Sequence, residues 1–313
     1  MDKKYLRFYL ISDRKGKGGA QVYFEDLIQT TADARDIVFD LKSEGLFALV
    51  TLLFSRRKDI RYVSAHSSIA VAIGRVLCRM FSIKFYATIH GWSFKRSGKL
   101  SLEYLMERIL VFFGGTNVCV SNDDKVISEE LGYKSSRLLL NYGRDCYIKG
   151  SEVDLKSVVM VARNSKQKDY QSALLLADAM PDYRFTFVGK DVPSLRLNGR
   201  IPENVTLLEH TSKLDAILSK SNFFLLLSFY EGLPLSALEA LSCNAILLLS
   251  DVGGNREIFD KGAVGLLIGS NSDTEAIKEY MEASICLERN NRIIWKDHFS
   301  FGVWKNKVLN IYG

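Results

Sequence analysis

Long apolar runs are missing from this sequence of 313 residues. Its most apolar stretches, 46–54 and 223–229, are too short to cross a bilayer and predict buried helix or strand instead. The N-terminus runs directly into a predicted strand, with neither an apolar leader nor a cleavage signature, so we expect no secretion signal. These features predict a cytoplasmic location.

Cysteine is scarce and scattered along the chain. A structural metal cluster or a disulfide framework needs regularly spaced cysteines, and no two cysteines here are closely spaced. The pattern therefore predicts no metal site and buried free thiols in a reducing compartment. The five cysteines are Cys78, Cys119, Cys146, Cys243 and Cys286.

The composition is that of a globular protein, with 47% hydrophobic and 25% charged residues, and the length predicts two domains. The net charge of +6 is uneven, because residues 1–150 carry +8 and residues 151–313 carry −2. Two interpretations of the basic half stay open: ordinary solvated charge, or an anionic partner such as a membrane or a phosphorylated acceptor. The basic residues follow no recognised nucleic-acid-binding motif, so we expect no nucleic acid partner.

Strand-like and helix-like segments alternate along the chain, and the strands are nearly continuous apolar runs, as in parallel sheets covered on both faces. The pattern restarts after a polar segment at 146–156. We therefore predict an α/β protein with two Rossmann-like, doubly wound parallel sheets. The domains are predicted at 1–145 and 146–295, with a closing helix at 296–313 that packs back toward the N-terminal domain. The predicted strands are 5–12, 36–41, 60–65, 83–89, 116–121, 137–141, 158–162, 184–188, 205–208, 223–227 and 245–250. The predicted helices are 21–31, 46–54, 68–81, 102–113, 123–131, 170–180, 213–219, 234–242, 278–287 and 303–312.

Ligands of such sheets bind beyond the carboxyl ends of the strands. In the first half, a glycine-rich loop at 16–19 lies between the first strand and the first helix, where it forms either a phosphate cradle or a plain tight turn. It is not a nucleotide P-loop, since no G-x-x-x-x-G-K-[ST] motif occurs. His66 and His90 each end a predicted strand of the same sheet. They act either as donors to a substrate or as structural histidines bonded to the backbone.

In the second half, Arg163 and Lys168 follow the first predicted strand. Two cations there suit a diphosphate, and the alternative is a solvated basic loop, since Lys166 lies there too. Farther on, Glu231 and Gly232 form the turn after a predicted strand. Pro234 opens the next helix at its favoured first position, where free N–H groups are able to hold a phosphate. Glu239 lies about two turns along that helix, as a second sugar-binding carboxylate or as an ordinary surface glutamate.

Together these motifs resemble the retaining glycosyltransferases of family four, which have the GT-B fold of two Rossmann-like domains facing across a cleft. The likeness covers nearly the whole chain. The two glutamates of the family's E-G-x-P motif, with seven residues between them, match Glu231 and Glu239. The T-x-H-G-W-S-F run around His90 is similar to that of enzymes of surface-polysaccharide assembly. The chain departs from the family at the domain junction, where Tyr142-Gly143 replaces the usual Asn-Gly. Further matches are Arg163 with Lys168, the D-x-G-G-x-x-E segment from Asp251 to Glu257, and the Gly18-Gly19 turn.

The resemblance implies a role for each matched residue. Glu239 would bind the nucleotide ribose and Glu231 the hydroxyls of the donor sugar, while His90 would lie near the reacting sugar. Stabilisation of the leaving diphosphate would be the main catalytic contribution. No cofactor and no metal are expected, and the absence of a D-x-D motif agrees with that. The implied catalytic residues are Glu231, His90, Arg163 and Lys168. The implied donor-binding residues are Gly18, Gly19, Arg163, Lys168, Glu231, Gly232, Leu233, Pro234, Leu235 and Glu239.

The resemblance also implies the substrates: a nucleotide-sugar donor, expected to be a UDP-hexose or UDP-N-acetylhexosamine, and a saccharide or polyprenyl-diphosphate-linked acceptor. The basic first domain would then dock as a peripheral protein on the inner face of the cell membrane. The alternative for the docking residues is a mobile basic loop. Two other functions remain open for the chain: a sugar-nucleotide epimerase of the same fold, and a non-catalytic partner subunit that binds a nucleotide sugar. The expected docking residues are Trp92, Phe94, Lys95, Arg96 and Lys99.

Overall fold

The computed structural model describes residues 5–15, 19–95, 98, 101–269 and 274–312. The chain divides into two compact units, one of residues 1–140 with 304–313 and one of residues 141–303. The predicted doubly wound α/β class is confirmed, because each unit contains a six-stranded sheet in which every strand pair is parallel.

The sheet of the N-terminal unit has the strand order β2-β1-β3-β4-β5-β6. Its central strands are buried almost throughout, which agrees with their continuous apolar sequences. The strands are β1 (Leu6–Ile11), β2 (Ile37–Asp40), β3 (Ile60–His66), β4 (Phe85–Ile89), β5 (Thr116–Cys119) and β6 (Ser136–Leu138). The helices are α1 (Gly19–Thr31), α2 (Leu41–Glu44), α3 (Leu46–Arg56), α4 (Ser68–Met80), α5 (Leu102–Leu110) and α6 (Asn122–Leu131), with short 3₁₀ turns at Ser93–Lys95 and Val111–Phe113.

The sheet of the C-terminal unit has the order β12-β11-β10-β7-β8-β9. Its strands are β7 (Asp154–Val161), β8 (Arg184–Val188), β9 (Val205–Leu208), β10 (Ser221–Leu226), β11 (Ile246–Ser250) and β12 (Gly265–Ile268). Its helices are α7 (Tyr170–Ala179), α8 (Leu214–Lys220), α9 (Leu235–Ser242), α10 (Asn255–Asp260), α11 (Thr274–Ser284) and α12 (Asn291–Ile294), with a 3₁₀ turn at Val192–Ser194. A π-helical turn at Trp295–Phe299 leads to α13 (Phe301–Tyr312), whose residues from Trp304 onward are part of the N-terminal unit.

The sequence missed β12 and the short helices α2, α10 and α12. Each of these elements has six residues or fewer. Such short elements carry too few residues for a hydrophobic period to be recognised. The structure also places Pro234 at the N-cap of α9 rather than at its first position, so the helix begins one residue later than predicted. Four of the five cysteines are buried as expected, whereas Cys286 is exposed.

The segment after β6 is held by hydrogen bonds to α9 and the turn before it in the C-terminal unit. The Asn141 side-chain amide donates to the carbonyl oxygen of Leu233 at 2.7 Å, and the Cys146 amide donates to Ser242 Oγ at 3.0 Å. Gly143 lies so close to α9 that an added Cβ would be 2.5 Å from the carbonyl carbon of Leu238. These contacts place the division at 140/141, before the predicted boundary at 145.

The expected membrane-docking residues after β4 are wrong as far as the structure describes them. Trp92 and Phe94 are buried, at 3% and 5% exposure. The Trp92 indole N–H donates to the carbonyl oxygen of Asp124 at 3.0 Å, and Lys95 forms an ion pair with Asp123. Both aromatic rings belong to the hydrophobic core of the unit, where the Phe94 ring packs against Tyr104 of α5, so neither meets a lipid surface. The other two proposed residues, Arg96 and Lys99, lie outside the described residues. Within the described ranges, no helix has the length and apolarity that a membrane span requires.

Candidate active site

Most of the predicted site residues follow strands at the point where the strand order of each sheet reverses, and His90 follows β4, one strand away from that point. In the C-terminal sheet, β7 and β10 are neighbours, and from them the chain builds outward to either side. In the N-terminal sheet the equivalent neighbours are β1 and β3. A doubly wound sheet opens a crevice beyond the carboxyl ends of the strands at such a switch point, which makes these two edges the candidate ligand sites.

In the C-terminal unit, the loops after β7 and β10 pair with each other. Lys168 forms an antiparallel bridge with Ser228, and the Phe229 amide donates to the carbonyl oxygen of Gln167 at 2.9 Å. This pairing brings the Lys168 ammonium group onto the Glu231 carboxylate, and both side chains are buried or nearly so. Two of the predicted charged residues therefore form one ion pair at the switch point.

Gln167 also holds the turn that carries Glu231, through two hydrogen bonds from its side-chain amide. Its side-chain amide donates to the Tyr230 carbonyl oxygen at 2.8 Å and to Glu231 Oε2 at 3.4 Å. Since Lys168 contacts Oε1, the two oxygens of the Glu231 carboxylate are held by different donors. The carboxylate therefore has a defined orientation in the turn between β10 and α9.

The glycine pair after β11 closes on the same turn. Gly253 has φ +53°, and a Cβ added to it would be 1.9 Å from the carbonyl oxygen of Glu231. The Gly254 amide donates to the Gly232 carbonyl oxygen at 2.7 Å. Only glycine tolerates both this backbone conformation and this approach, so the predicted D-x-G-G segment supports the backbone that carries Glu231.

The N-terminus of α9 follows this turn. Leu238 makes the first intrahelical bond, to the carbonyl oxygen of Pro234 at 3.3 Å. Among the described residues, no acceptor is present for the backbone N–H groups of Leu235, Ser236 and Ala237. The predicted anion-binding end of the helix is thus free to bind a phosphate. Arg163, at the end of β7, is exposed, and within the described ranges its guanidinium group forms no ion pair.

Glu239 is buried on α9 and has a partner that the sequence did not predict. Its Oε1 lies 2.8 Å from Nε of Arg144, in the segment that precedes β7. Burial raises the pKa of the Glu239 carboxyl, and the neighbouring Arg144 charge opposes that rise. The Arg144 side chain itself is 59% exposed, so water reaches the pair from that side. The prediction that Glu239 is an ordinary surface residue is excluded by its burial.

The two strand-end histidines of the N-terminal unit lie together, with ring centroids 6.0 Å apart. Tyr23 of α1 packs its ring edge against His90 at 4.9 Å and also contacts Trp304 of α13 at 5.2 Å. Burial lowers the pKa of His90 to about 4, and burial together with His90 lowers that of His66 well below the usual range. Both imidazoles are therefore neutral at neutral pH.

The hydrogen bonds of the two histidines differ. His66 Nε2 lies 3.1 Å from Ser64 Oγ, which favours a structural role for this ring. His90 Nε2 is buried, and no described residue hydrogen-bonds to it. His66 Nδ1 is likewise buried without a described partner. The His66 ring is fully buried whereas His90 is partly exposed, so His90 is the better candidate for contact with a ligand. Gly18 lies outside the described residues, and Gly19 is the first residue of α1.

Comparison with known proteins identifies the family. Residues 148–294, which carry most of the C-terminal site, match the family model described as glycosyl transferases group 1. The C-terminal unit is a group 1 glycosyltransferase domain. The resemblance seen in the sequence is therefore confirmed.

Individual relatives of the glycosyltransferase agree with this. The chain is 27% identical to the UDP-Gal:alpha-D-GlcNAc-diphosphoundecaprenol alpha-1,3-galactosyltransferase of Escherichia coli, over 75% of this chain and 68% of that protein. Sucrose-phosphate synthase from Thermosynechococcus elongatus superposes with a TM-score of 0.80 at 16% identity, covering 98% of each chain. Anabaena HepE, solved in complex with UDP-glucose, gives a TM-score of 0.75 at 13% identity over 98% of this chain and 99% of the other. The two structural likenesses confirm the GT-B fold.

Two residues of the glycosyltransferase site escaped the sequence analysis. Gln167 precedes Lys168 and gave no signal of its own, because a glutamine in a polar loop is usually solvated. Arg144 follows the Tyr142-Gly143 junction, where the departure from the family was the available signal. Neither contact is predictable from spacing, since each depends on two segments that meet only in the folded unit: the loops after β7 and β10 for Gln167, and the segment before β7 with α9 for Arg144.

Proposed function

We propose that the protein is a retaining glycosyltransferase that moves a hexose or N-acetylhexosamine from a UDP-linked donor to a polyprenyl-diphosphate-linked or other saccharide acceptor in surface-polysaccharide synthesis. Support comes from the Escherichia coli relative, whose name gives a UDP-sugar donor and a diphosphoundecaprenol acceptor. A solved structure of the same fold, that of HepE, contains UDP-glucose.

The observation that carries the proposal is the Lys168–Glu231 pair beside the free N-terminus of α9. A nucleoside diphosphate carries its negative charge in the phosphates, and the sugar presents hydroxyl groups. The helix N-terminus and the cations of Lys168 and Arg163 suit the phosphates, and the Glu231 carboxylate suits the hydroxyls. Donor binding then exchanges the Lys168–Glu231 contact for two contacts to the donor.

In the proposed reaction, the bond between the anomeric carbon and the diphosphate oxygen breaks, and an acceptor hydroxyl attacks from the same face. The hydroxyl proton passes to the departing phosphate oxygen, so the products are the lengthened saccharide and UDP. Negative charge grows on the diphosphate as the bond breaks. Arg163, Lys168 and the α9 N–H groups stabilise that charge, which is where the rate acceleration arises. A role for the neutral His90 at the reacting sugar stays a prediction, as does independence from a metal.

The first experiment is a thermal-shift panel with UDP, GDP, ADP and their sugar conjugates, in the presence of EDTA. A ligand that binds only the folded state raises the apparent Tm by mass action. We expect a shift with UDP and its conjugates, which K168A and E231A reduce. Lys166→Ala is the matched control, because Lys166 lies on the same loop but is exposed and outside the ion pair. No shift with any nucleotide would contradict the donor assignment.

The second experiment measures products with a UDP-sugar and a lipid-linked saccharide. A retained anomeric configuration in the product supports the mechanism, whereas inversion refutes it. An epimerised UDP-sugar formed without acceptor would identify an epimerase instead. Donor binding without any turnover, together with full cellular function of E231A and K168A, would identify a non-catalytic subunit. A rate that EDTA abolishes and a divalent cation restores would overturn the proposed metal independence.

We place the reaction on the inner face of the cell membrane, because a polyprenyl-diphosphate acceptor is anchored in a bilayer. The positive charge of residues 1–150 is compatible with such a surface. Of the residues first expected to dock there, Trp92 and Phe94 are buried and Lys95 is ion-paired, so these three do not make that contact.

A further inference from the structure

Helix α5 of the N-terminal unit presents its apolar side to solvent. Four apolar side chains recur at helical spacing, and a fifth follows in the 3₁₀ turn that extends the helix. All five are between 48% and 84% exposed. A row of this kind is about 15 Å long at the rise of an α-helix. We define the α5 face as Leu102, Leu105, Met106, Ile109 and Phe112.

The opposite side of α5 is hydrogen-bonded to the rest of the N-terminal unit, so the helix is firmly attached. Ser101 caps the helix by accepting the Tyr104 amide at 3.2 Å. Glu107 Oε2 accepts from the Tyr133 hydroxyl at 3.0 Å, and Arg108 Nη1 donates to the Leu131 carbonyl oxygen at 3.2 Å. These bonds fix the rotation of the helix about its axis. Because Glu107 and Arg108 bond to the rest of the unit, the apolar residues of α5 face the solvent.

Exposed cations lie beside the α5 face. Arg108 is on α5 itself, and Lys134 follows Tyr133, the partner of Glu107. Arg79 lies one turn along α4 from Arg75, whose guanidinium donates to the Gly114 carbonyl oxygen just after the face ends. Within the described ranges, none of Arg79, Arg108 and Lys134 forms an ion pair. Two exposed acids are near them, Glu103 of α5 and Glu130 beside Leu131, and within the described ranges neither forms an ion pair. The three cations therefore exceed these acids by one.

We propose that the α5 face docks the protein on an anionic lipid bilayer. An apolar helix side with Phe and Leu, flanked by Lys and Arg, suits the boundary between headgroups and acyl chains. The cations favour a negatively charged leaflet, with about fivefold in affinity for each Lys or Arg near the surface. Large exposed apolar patches are uncommon on monomeric proteins and mark interaction sites. The choice of a bilayer as partner rests on the proposed function, since a lipid-linked acceptor is found only there.

The test is co-sedimentation of the full chain with vesicles, made either of phosphatidylcholine alone or of equal parts phosphatidylcholine and phosphatidylglycerol. We expect binding to the mixed vesicles and little binding to the neutral ones. The double variant L105S/I109S should lose at least tenfold in affinity for the mixed vesicles. The matched control L175S/I293S changes two aliphatic residues of similar exposure in the C-terminal unit, and it should bind as the wild type does. An apparent Tm unchanged in both variants excludes misfolding.

Three outcomes would overturn the proposal: no binding of the wild type to mixed vesicles, equal binding by L105S/I109S, or a wild-type dimer that L105S/I109S converts to a monomer without any vesicle effect. The last result would identify a second copy of the chain as the partner. The UDP thermal shift separates this proposal from the proposed function. Vesicle binding through the α5 face without a UDP shift would refute the donor assignment alone, and a UDP shift without vesicle binding would refute the docking face alone.

Discussion

Arg144→Met tests whether the unpredicted cation keeps the Glu239 carboxylate in its buried position. Methionine preserves most of the length and apolar contact of the arginine stem while it removes the charge. Removing one partner of a fully buried ion pair costs about 3–5 kcal/mol, whereas an exposed pair contributes about 0–1 kcal/mol. Glu239 is buried but the Arg144 side chain is 59% exposed, so we expect an intermediate loss of about 1–2 kcal/mol at neutral pH.

The pH dependence of that loss follows from the Glu239 carboxyl. Burial already raises its pKa, and removal of Arg144 leaves that effect unopposed. The folded variant then binds the proton more readily than the unfolded chain does. Its stability therefore increases as the pH falls through the raised pKa toward the ordinary glutamate value, and the difference from the wild type should shrink.

The assay is the apparent Tm of the wild type, R144M and R144K, measured at neutral pH and at about pH 5. For a unit of this size, 1 kcal/mol corresponds to about 2–4 °C in Tm. R144K retains a cation and should lie between the other two, although it lacks the planar guanidinium group. The reasoning is refuted if R144M melts with the wild type at neutral pH, or if its deficit grows on acidification.

Three further predictions concern other parts of the molecule, each read as an apparent Tm. Gly253→Ala should destabilise the protein by at least about 2 kcal/mol more than Gly150→Ala does. Both glycines have a positive φ, but only at Gly253 would the added Cβ lie 1.9 Å from a carbonyl oxygen. Equal losses of stability in the two variants would contradict this. Burial lowers the pKa of His90 from 6.5 to about 4, so the stability of the wild type should fall as the pH drops through that range. H90Q lacks this group and should lose less stability over the same range. A parallel decline of the wild type and H90Q would count against a buried neutral ring. Trp92 is buried and Phe112 is exposed, so Trp92→Ala should lower the free energy of unfolding by about 3–5 kcal/mol and Phe112→Ala by less than about 0.5 kcal/mol. The reverse order would mean that the assigned burial of the two rings is wrong.

The fold and the outline of the site were predictable for one reason. Parallel strands covered on both faces are continuous apolar runs, and a doubly wound sheet presents its ligands at strand ends. Lys168 and Glu231 could therefore be assigned to one sheet edge before any contact was known. Their direct pairing could not, because it depends on the bridge between the loops after β7 and β10. Arg144 was missed for the same reason, since nothing in a sequence indicates which segment passes beside a given helix.

The sequence did not show which side chains are exposed where an apolar residue lies among charged ones. Trp92 follows a strand in a run of basic residues, which fits an exposed docking loop as well as a ring buried beneath the next helix. The burial of the ring and the hydrogen bond from its indole to the Asp124 carbonyl oxygen distinguish the two. Helix α5 presents the converse case, because an amphipathic helix in a soluble protein is expected to bury its apolar side. Here Glu107 and Arg108 are bonded inward, and their bonds turn the apolar side out. Sequence period gives the two faces of a helix, whereas the partners of its polar residues decide which face meets the solvent.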